Sequence, residues 1–178
     1  SRYTAEKVYD EAKKWAERHD EELNKMLEDK DYALKVFGIE RGNKKPRKDI
    51  AKWSDVKENI EYMYDDVFYS KKRDYPYQVI NDKEKIKKIL DLYIEKYYDD
   101  NDDKDTWFEK IKELAGEMGY AKEVKEFKAN PDKYEAHVGD VSTVLRVALT
   151  SRTNTPDMYE IMNMIGKDTI KERIEKGI

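Results

Sequence analysis

His137-Val-Gly-Asp140-Val-Ser-Thr-Val-Leu-Arg146-Val-Ala-Leu-Thr-Ser-Arg152-Thr-Asn-Thr155-Pro156-Asp-Met158 is the stretch on which the fold turns. Charged residues make up 43% of the chain, yet these 22 positions hold only Asp140, Arg146, Arg152 and Asp157. Val141, Val144, Leu145, Ala148 and Leu149 recur at spacings of three and four, the period of an α-helix with one buried face. Their β-branched content leaves a strand over 141–149 as the alternative. One arginine rides on the apolar pattern, and a short polar loop follows it. Thr155-Pro156 then reads as a helix start, with Thr155 as N-cap and Pro156 at the first helical position, where its missing N–H costs nothing. The combination implies a buried helix that delivers a few polar groups to a surface.

The same period extends in both directions. Downstream, Tyr159, Met162 and Ile165 continue the Thr155 helix until Gly166, and a last helix follows with Ile170 and Ile174 inward. Upstream, Trp107, Phe108, Ile111, Leu114, Ala115 and Met118 form a buried face closed by Gly119, and a short helix near 122–128 ends before Asn130-Pro131. Asn81-Asp-Lys-Glu84 has capping-box spacing. It introduces a helix buried through Ile86, Ile89, Leu90, Tyr93, Ile94 and Tyr97. Nearer the start, Thr4 caps a helix with Val8, Ala12, Trp15 and Ala16 inward. Leu23, Met26 and Leu27 mark a second helix, and Tyr32 to Phe37 a third that stops near Gly38 and Gly42. The Gly-, Asn- and Pro-containing stretch 41–48 reads as a loop. Ser54 reads as the cap of one continuous stripe through Val56, Ile60, Met63, Tyr64 and Val67. The run Lys71-Lys-Arg-Asp-Tyr-Pro76-Tyr77 is the best linker. The expectation is therefore an all-α chain of two small helical subdomains, residues 1–75 and 76–178.

Composition narrows the function. With 14 Tyr, 4 Phe and 3 Trp, the chain is too aromatic for disorder despite a mean hydropathy of -1.07. It contains no cysteine, which excludes disulfides and thiolate zinc sites and fits a reducing compartment. No apolar run approaches the roughly 20 residues that span a bilayer, and no signal-like segment opens the chain. The net charge of -4 argues against gripping nucleic acid over a whole face. It leaves room for a local patch, and Arg41, Lys44, Lys45, Arg47, Lys48 and Lys52 supply one against a single Asp49. His19 and His137 have no partner at metal-ligand spacing. The acidic loop Asp99–Asp105 lacks the turn glycine and final glutamate of a calcium loop. No phosphate-binding glycine motif is present. No set of residues reads as catalytic.

The run from Arg146 to Ile174 resembles the C-terminal end of bacterial glutamyl-tRNA synthetases. That family typically reads Leu-Arg-x-Ala-Leu-Thr-Gly, a short loop, x-Pro-x-Leu-x-Glu followed by Ile or Val, then Leu-Gly-Lys and a closing Arg with Ile or Leu. The resemblance continues upstream through Asp31–Gly42, Pro46–Lys57, Asp103–Phe108 and His137–Val141, so it covers nearly the whole chain. It implies a C-terminal anticodon-binding part made of class I synthetase helical bundles. The family's catalytic Rossmann domain, with its HIGH-like and KMSKS-like signatures, has no counterpart here. ATP and magnesium belong to that domain, and no cofactor and no catalytic residue are implied for this segment.

Carried over position by position, the resemblance places Arg146, Thr155, Pro156 and Met158 at the anticodon bases, with Met158 standing where the family has leucine and Ser151 where it has glycine. Arg47 is the nearest counterpart of a further family arginine that reads the third anticodon base. Arg41, Lys44, Lys45, Lys48, Lys52 and Arg152 are the expected phosphate contacts. The implied partner is tRNA(Glu), with tRNA(Gln) left open, bound by a cytoplasmic monomer with no role for membrane or DNA. The physical logic agrees: sequence-specific RNA readers act on splayed single-stranded bases through stacking and edge hydrogen bonds. Two other readings compete. Acidic charge and exposed tyrosines suit a helical protein-interaction module without RNA binding. A helix-turn-helix DNA binder over 155–178 is disfavoured, because the charges of 167–176 alternate and leave no base-reading face.

Overall fold

The computed structural model describes residues 4–41 and 53–177, with the side chains of residues 40 and 41 excepted. Among the described residues the chain is all-α and contains no strand. Its eleven α-helices are α1 (Ala5–His19), α2 (Glu21–Met26), α3 (Lys30–Arg41), α4 (Trp53–Ile60), α5 (Asp65–Ser70), α6 (Lys83–Leu92), α7 (Lys104–Glu117), α8 (Val124–Ala129), α9 (Val138–Thr150), α10 (Met158–Ile165) and α11 (Lys167–Lys176). The stretch 141–149 is thus helix, and its strand alternative falls. An isolated bridge between Ala121 and His137 is the one extended pairing among these residues.

The helices group into two compact units, one of Ser1–Lys72 with Pro156–Ile165, the other of Arg73–Thr155 with Gly166–Ile178. In the first unit, Thr4 accepts the Lys7 amide at 3.2 Å and starts α1, which buries Val8, Tyr9, Ala12 and Ala16. Trp15, expected inward, is only half-buried, and Tyr9 takes the inner place, donating its hydroxyl to the Leu27 carbonyl at 2.7 Å. Asp20 ends α1 and caps α2 by accepting the Leu23 amide at 3.0 Å. Helix α3 runs straight through Gly38, which does not stop it. Ser54 lies inside the first turn of α4 and is not its cap.

The stripe expected from Val56 to Val67 is broken into α4, a 3-10 turn over Glu61–Met63, and α5. The Tyr32 hydroxyl donates to the Met63 carbonyl, the acceptor a continuous helix would offer to residue 67. Tyr64 is extended (φ -117°, ψ 111°), with its ring edge-on to Tyr32 at 5.1 Å. Helix α10 packs against α3 and against this turn.

In the second unit α9 lies against α6, α7 and α11. Residues 71–82 carry no helix. The α6 cap falls one residue later than the capping-box spacing suggested: Asp82, not Asn81, accepts the Lys85 amide at 3.0 Å. Helix α6 continues into one π-helical turn, Tyr93–Tyr97. On α7, Ile111, Leu114 and Ala115 are buried, while Phe108 is exposed and Trp107 half-buried, donating from its indole to the Tyr93 hydroxyl at 3.1 Å. Burial pushes the Tyr93 hydroxyl well above its ordinary pKa.

Candidate nucleic-acid interface

Helix α9 is the most apolar helical surface in its unit, burying Val138, Val141, Val144, Leu145, Val147, Ala148, Leu149 and Thr150. Its start is a capping box. The His137 ring nitrogen Nδ1 accepts the Gly139 amide at 2.9 Å, and the Asp140 carboxylate accepts the His137 amide at 2.9 Å. The ring lies edge-on to Phe127 at 5.1 Å.

The other end of α9 carries the expected recognition residues. Arg146 is half-buried in the penultimate turn. Its carbonyl accepts the Thr150 hydroxyl at 2.7 Å, and that hydroxyl accepts the Arg152 amide at 3.2 Å. Ser151 stops the helix with φ 61° and ψ 24°, and is the sole described non-glycine residue at positive φ. Its amide reaches the Val147 carbonyl at 2.7 Å, and its hydroxyl donates to the Asp74 carbonyl. A left-handed residue after the last helical turn is ordinarily glycine. Here a serine holds that conformation, with its side chain tethered to the Asp74 carbonyl. Arg152 and Thr155 are half-buried beyond it.

The start of α10 corrects the sequence reading. Thr155 is not its N-cap, and Pro156 is not its first residue. Asp157 is the cap: its side chain accepts the Glu160 amide at 3.1 Å and its carbonyl accepts the Ile161 amide at 3.1 Å. Aspartate and threonine both cap well, and the residue whose oxygen meets the third helical amide prevails. Pro156 and Met158 are buried, Met158 at 3% exposure, so both side chains contribute packing at the start of α10. Arg41 ends α3, but its side chain lies outside the described residues, as do Lys44, Lys45, Arg47, Lys48 and Lys52.

Arg173 was assigned no role by sequence reasoning, yet its side chain is fully buried. Its guanidinium Nη1 donates to the Leu149 carbonyl at 2.8 Å, at the end of α9. The signal was present: Arg173 stands three residues after Ile170 and directly before Ile174, on the inward stripe of α11.

The anticodon binding domain model matches residues 7–178. The chain belongs to the anticodon-binding domain family. It is 43% identical over 173 residues to a glutamate–tRNA ligase of Acetivibrio thermocellus, covering 97% of this chain and 31% of that protein. It is 42% identical over 173 residues to one of Clostridium perfringens (96% and 31%), and 38% identical over 180 residues to one of Sorangium cellulosum (99% and 31%). The chain thus spans under a third of the length of these curated relatives. No solved structure matches it.

Proposed function

We propose that this domain recognises the anticodon stem-loop of a glutamate-accepting tRNA as part of a cytoplasmic glutamate–tRNA ligase, in which a separate catalytic domain uses ATP and magnesium to attach glutamate. The observation that supports this best is the build of the α9 end. Arg146 leaves a helix buried along most of its length, and the loop from Ser151 begins from a turn fixed on several sides. Base-edge hydrogen bonds are directional and weaken steeply off axis. A guanidinium on a rigid support pays little ordering entropy on binding. In this reading Arg146 and Thr155 meet anticodon bases, Arg152 and the cations of 41–52 meet phosphates, and Pro156 and Met158 set the entry into α10. Arg47 is the candidate for the third anticodon base. The domain acts as a monomer and holds no cofactor of its own.

The test is titration of a glutamate anticodon stem-loop into the chain, followed by NMR. Shifts are expected at Arg146, Ser151, Arg152 and Thr155. Arg146→Ala should weaken binding by about 1–3 kcal/mol, the range for a good base-reading contact. Measurement belongs at low salt, because phosphate contacts weaken steeply as salt rises. Absence of binding at low salt, or binding unchanged by Arg146→Ala, overturns the assignment.

A further inference from the structure

We infer that Arg173 is a positioning residue for anticodon recognition, clamping the last turn of α9 from which Arg146 and the loop after Ser151 are presented. The inference rests on the recognition reading above.

Stability alone gives a weak reason for Arg173. A buried guanidinium loses its hydration, and replacing buried charge by an apolar side chain of similar volume is often neutral for stability. What Arg173 does have is a specific target. The Leu149 carbonyl that it bonds at 2.8 Å is one of the last four of α9, which have no partner within the helix and carry its partial negative charge. Arg146 precedes that carbonyl by three residues and Ser151 follows it by two, so the bond sits between the two groups to be aimed.

The rest of the α11 end is built for the same contact. At Gly177 an added Cβ would stand 2.9 Å from the Ala148 Cβ and 3.2 Å from the Ala148 Cα. Glycine there lets the end of α11 approach the backbone of the final α9 turn. The Tyr77 hydroxyl donates to the Gly177 carbonyl and holds that end in place. The linker holds the turn a second time, through the Asp74 carbonyl and the Ser151 hydroxyl. Residues remote in sequence thus converge on one helical turn. Lysine at 173 would keep the charge but lose the planar fork that fixes direction.

The test compares wild type, Arg173→Met, Arg173→Lys and Tyr77→Phe, each below its melting onset. The readout is the ratio of affinities for the glutamate anticodon stem-loop and for the same stem-loop with its anticodon bases replaced. A merely structural role lowers the melting temperature and leaves this ratio alone. Arg173→Met should reduce the ratio about tenfold and Tyr77→Phe about threefold, with Arg173→Lys between Arg173→Met and wild type. Residual binding through phosphates should persist. A folded Arg173→Met with the wild-type ratio overturns the proposal; should that variant not fold, an unchanged ratio in Tyr77→Phe does so. If wild type does not distinguish the two RNAs, the recognition reading fails by itself. The clamp is then judged by amide exchange. Tyr77→Phe must speed exchange at Ser151 relative to Leu114 in α7, and equal protection there refutes the clamp.

Discussion

The two ends of α9 are held by different means. At the start, His137 and Asp140 satisfy amides within three residues of themselves, beside a backbone pairing of Ala136 and Val138 with Ala121. At the end, the turn is held by Arg173, 24 residues away from Leu149, and by Asp74, 77 residues away from Ser151. The start thus adds a cap encoded within four residues to one backbone pairing. The distant end depends on α11 and the linker being in place, so it reports on the state of the whole unit. The recognition proposed for Arg146 would use the distant end, where several elements jointly fix a direction.

High pH should break this contrast most strongly. The Tyr77 hydroxyl belongs to the distant end, and burial, followed by the nearby Tyr75, raises its pKa. Tyr93, in the same unit, is raised chiefly by burial. A raised folded-state pKa means that the stabilisation is fully present below the unfolded value near 10 and is lost as pH climbs through the folded value. Melting temperature should therefore fall progressively above about pH 10. Tyr77→Phe should shallow that fall, and an identical slope in the variant would remove Tyr77 from the account.

His137→Ala addresses the local end. Loss of an N-cap acceptor should cost about 1 kcal/mol, read by chemical denaturation. Exchange protection should drop at Gly139 and stay unchanged at Ser151. Equal loss at both would show that the ends are not independent. There is a steric side to this cap: a Cβ on Gly139 would stand 2.7 Å from the His137 ring, so the histidine cap and Gly139 belong together.

The smallest effect is expected from Ser151→Gly. It relieves a left-handed residue, worth about 1 kcal/mol, and loses a half-exposed hydrogen bond worth about half of that. A net gain of roughly 0.5 kcal/mol should appear in the denaturation midpoint. A loss would mean that the tether to Asp74 outweighs the backbone strain.

Much of this was legible in the sequence because it is local. The three-and-four spacing of Val141, Val144, Leu145, Ala148 and Leu149 needs no partner to be read as helix. Thr4, Gly166 and the helix-free run after Lys71 announce themselves in the same way. Errors arose where two local signals competed, as with Thr155 against Asp157, or Asn81 against Asp82, and geometry chose between them. Others arose where a remote group intervened. The stripe from Val56 to Val67 is broken where Tyr64 turns extended and the Tyr32 hydroxyl donates to the Met63 carbonyl. Within the candidate site, Arg146 stood out as the one cation on an apolar helix. Arg173 did not: its place on the inward stripe of α11 was readable, but its full burial is decided by packing against α9.

By itself the sequence determined that this chain is all-α, where most helices lie, and which family's residue pattern it carries through Arg146, Thr155, Pro156 and the Gly166-Lys167 turn. Those are consequences of periodicity, capping and motif, all encoded over short spans. Only the tertiary structure decided that Ser151 is left-handed, that Met158 is buried, and that Arg173 and Gly177 close on the last turn of α9. Burial and close approach depend on which remote atoms share a small volume, and that is set when the helices pack.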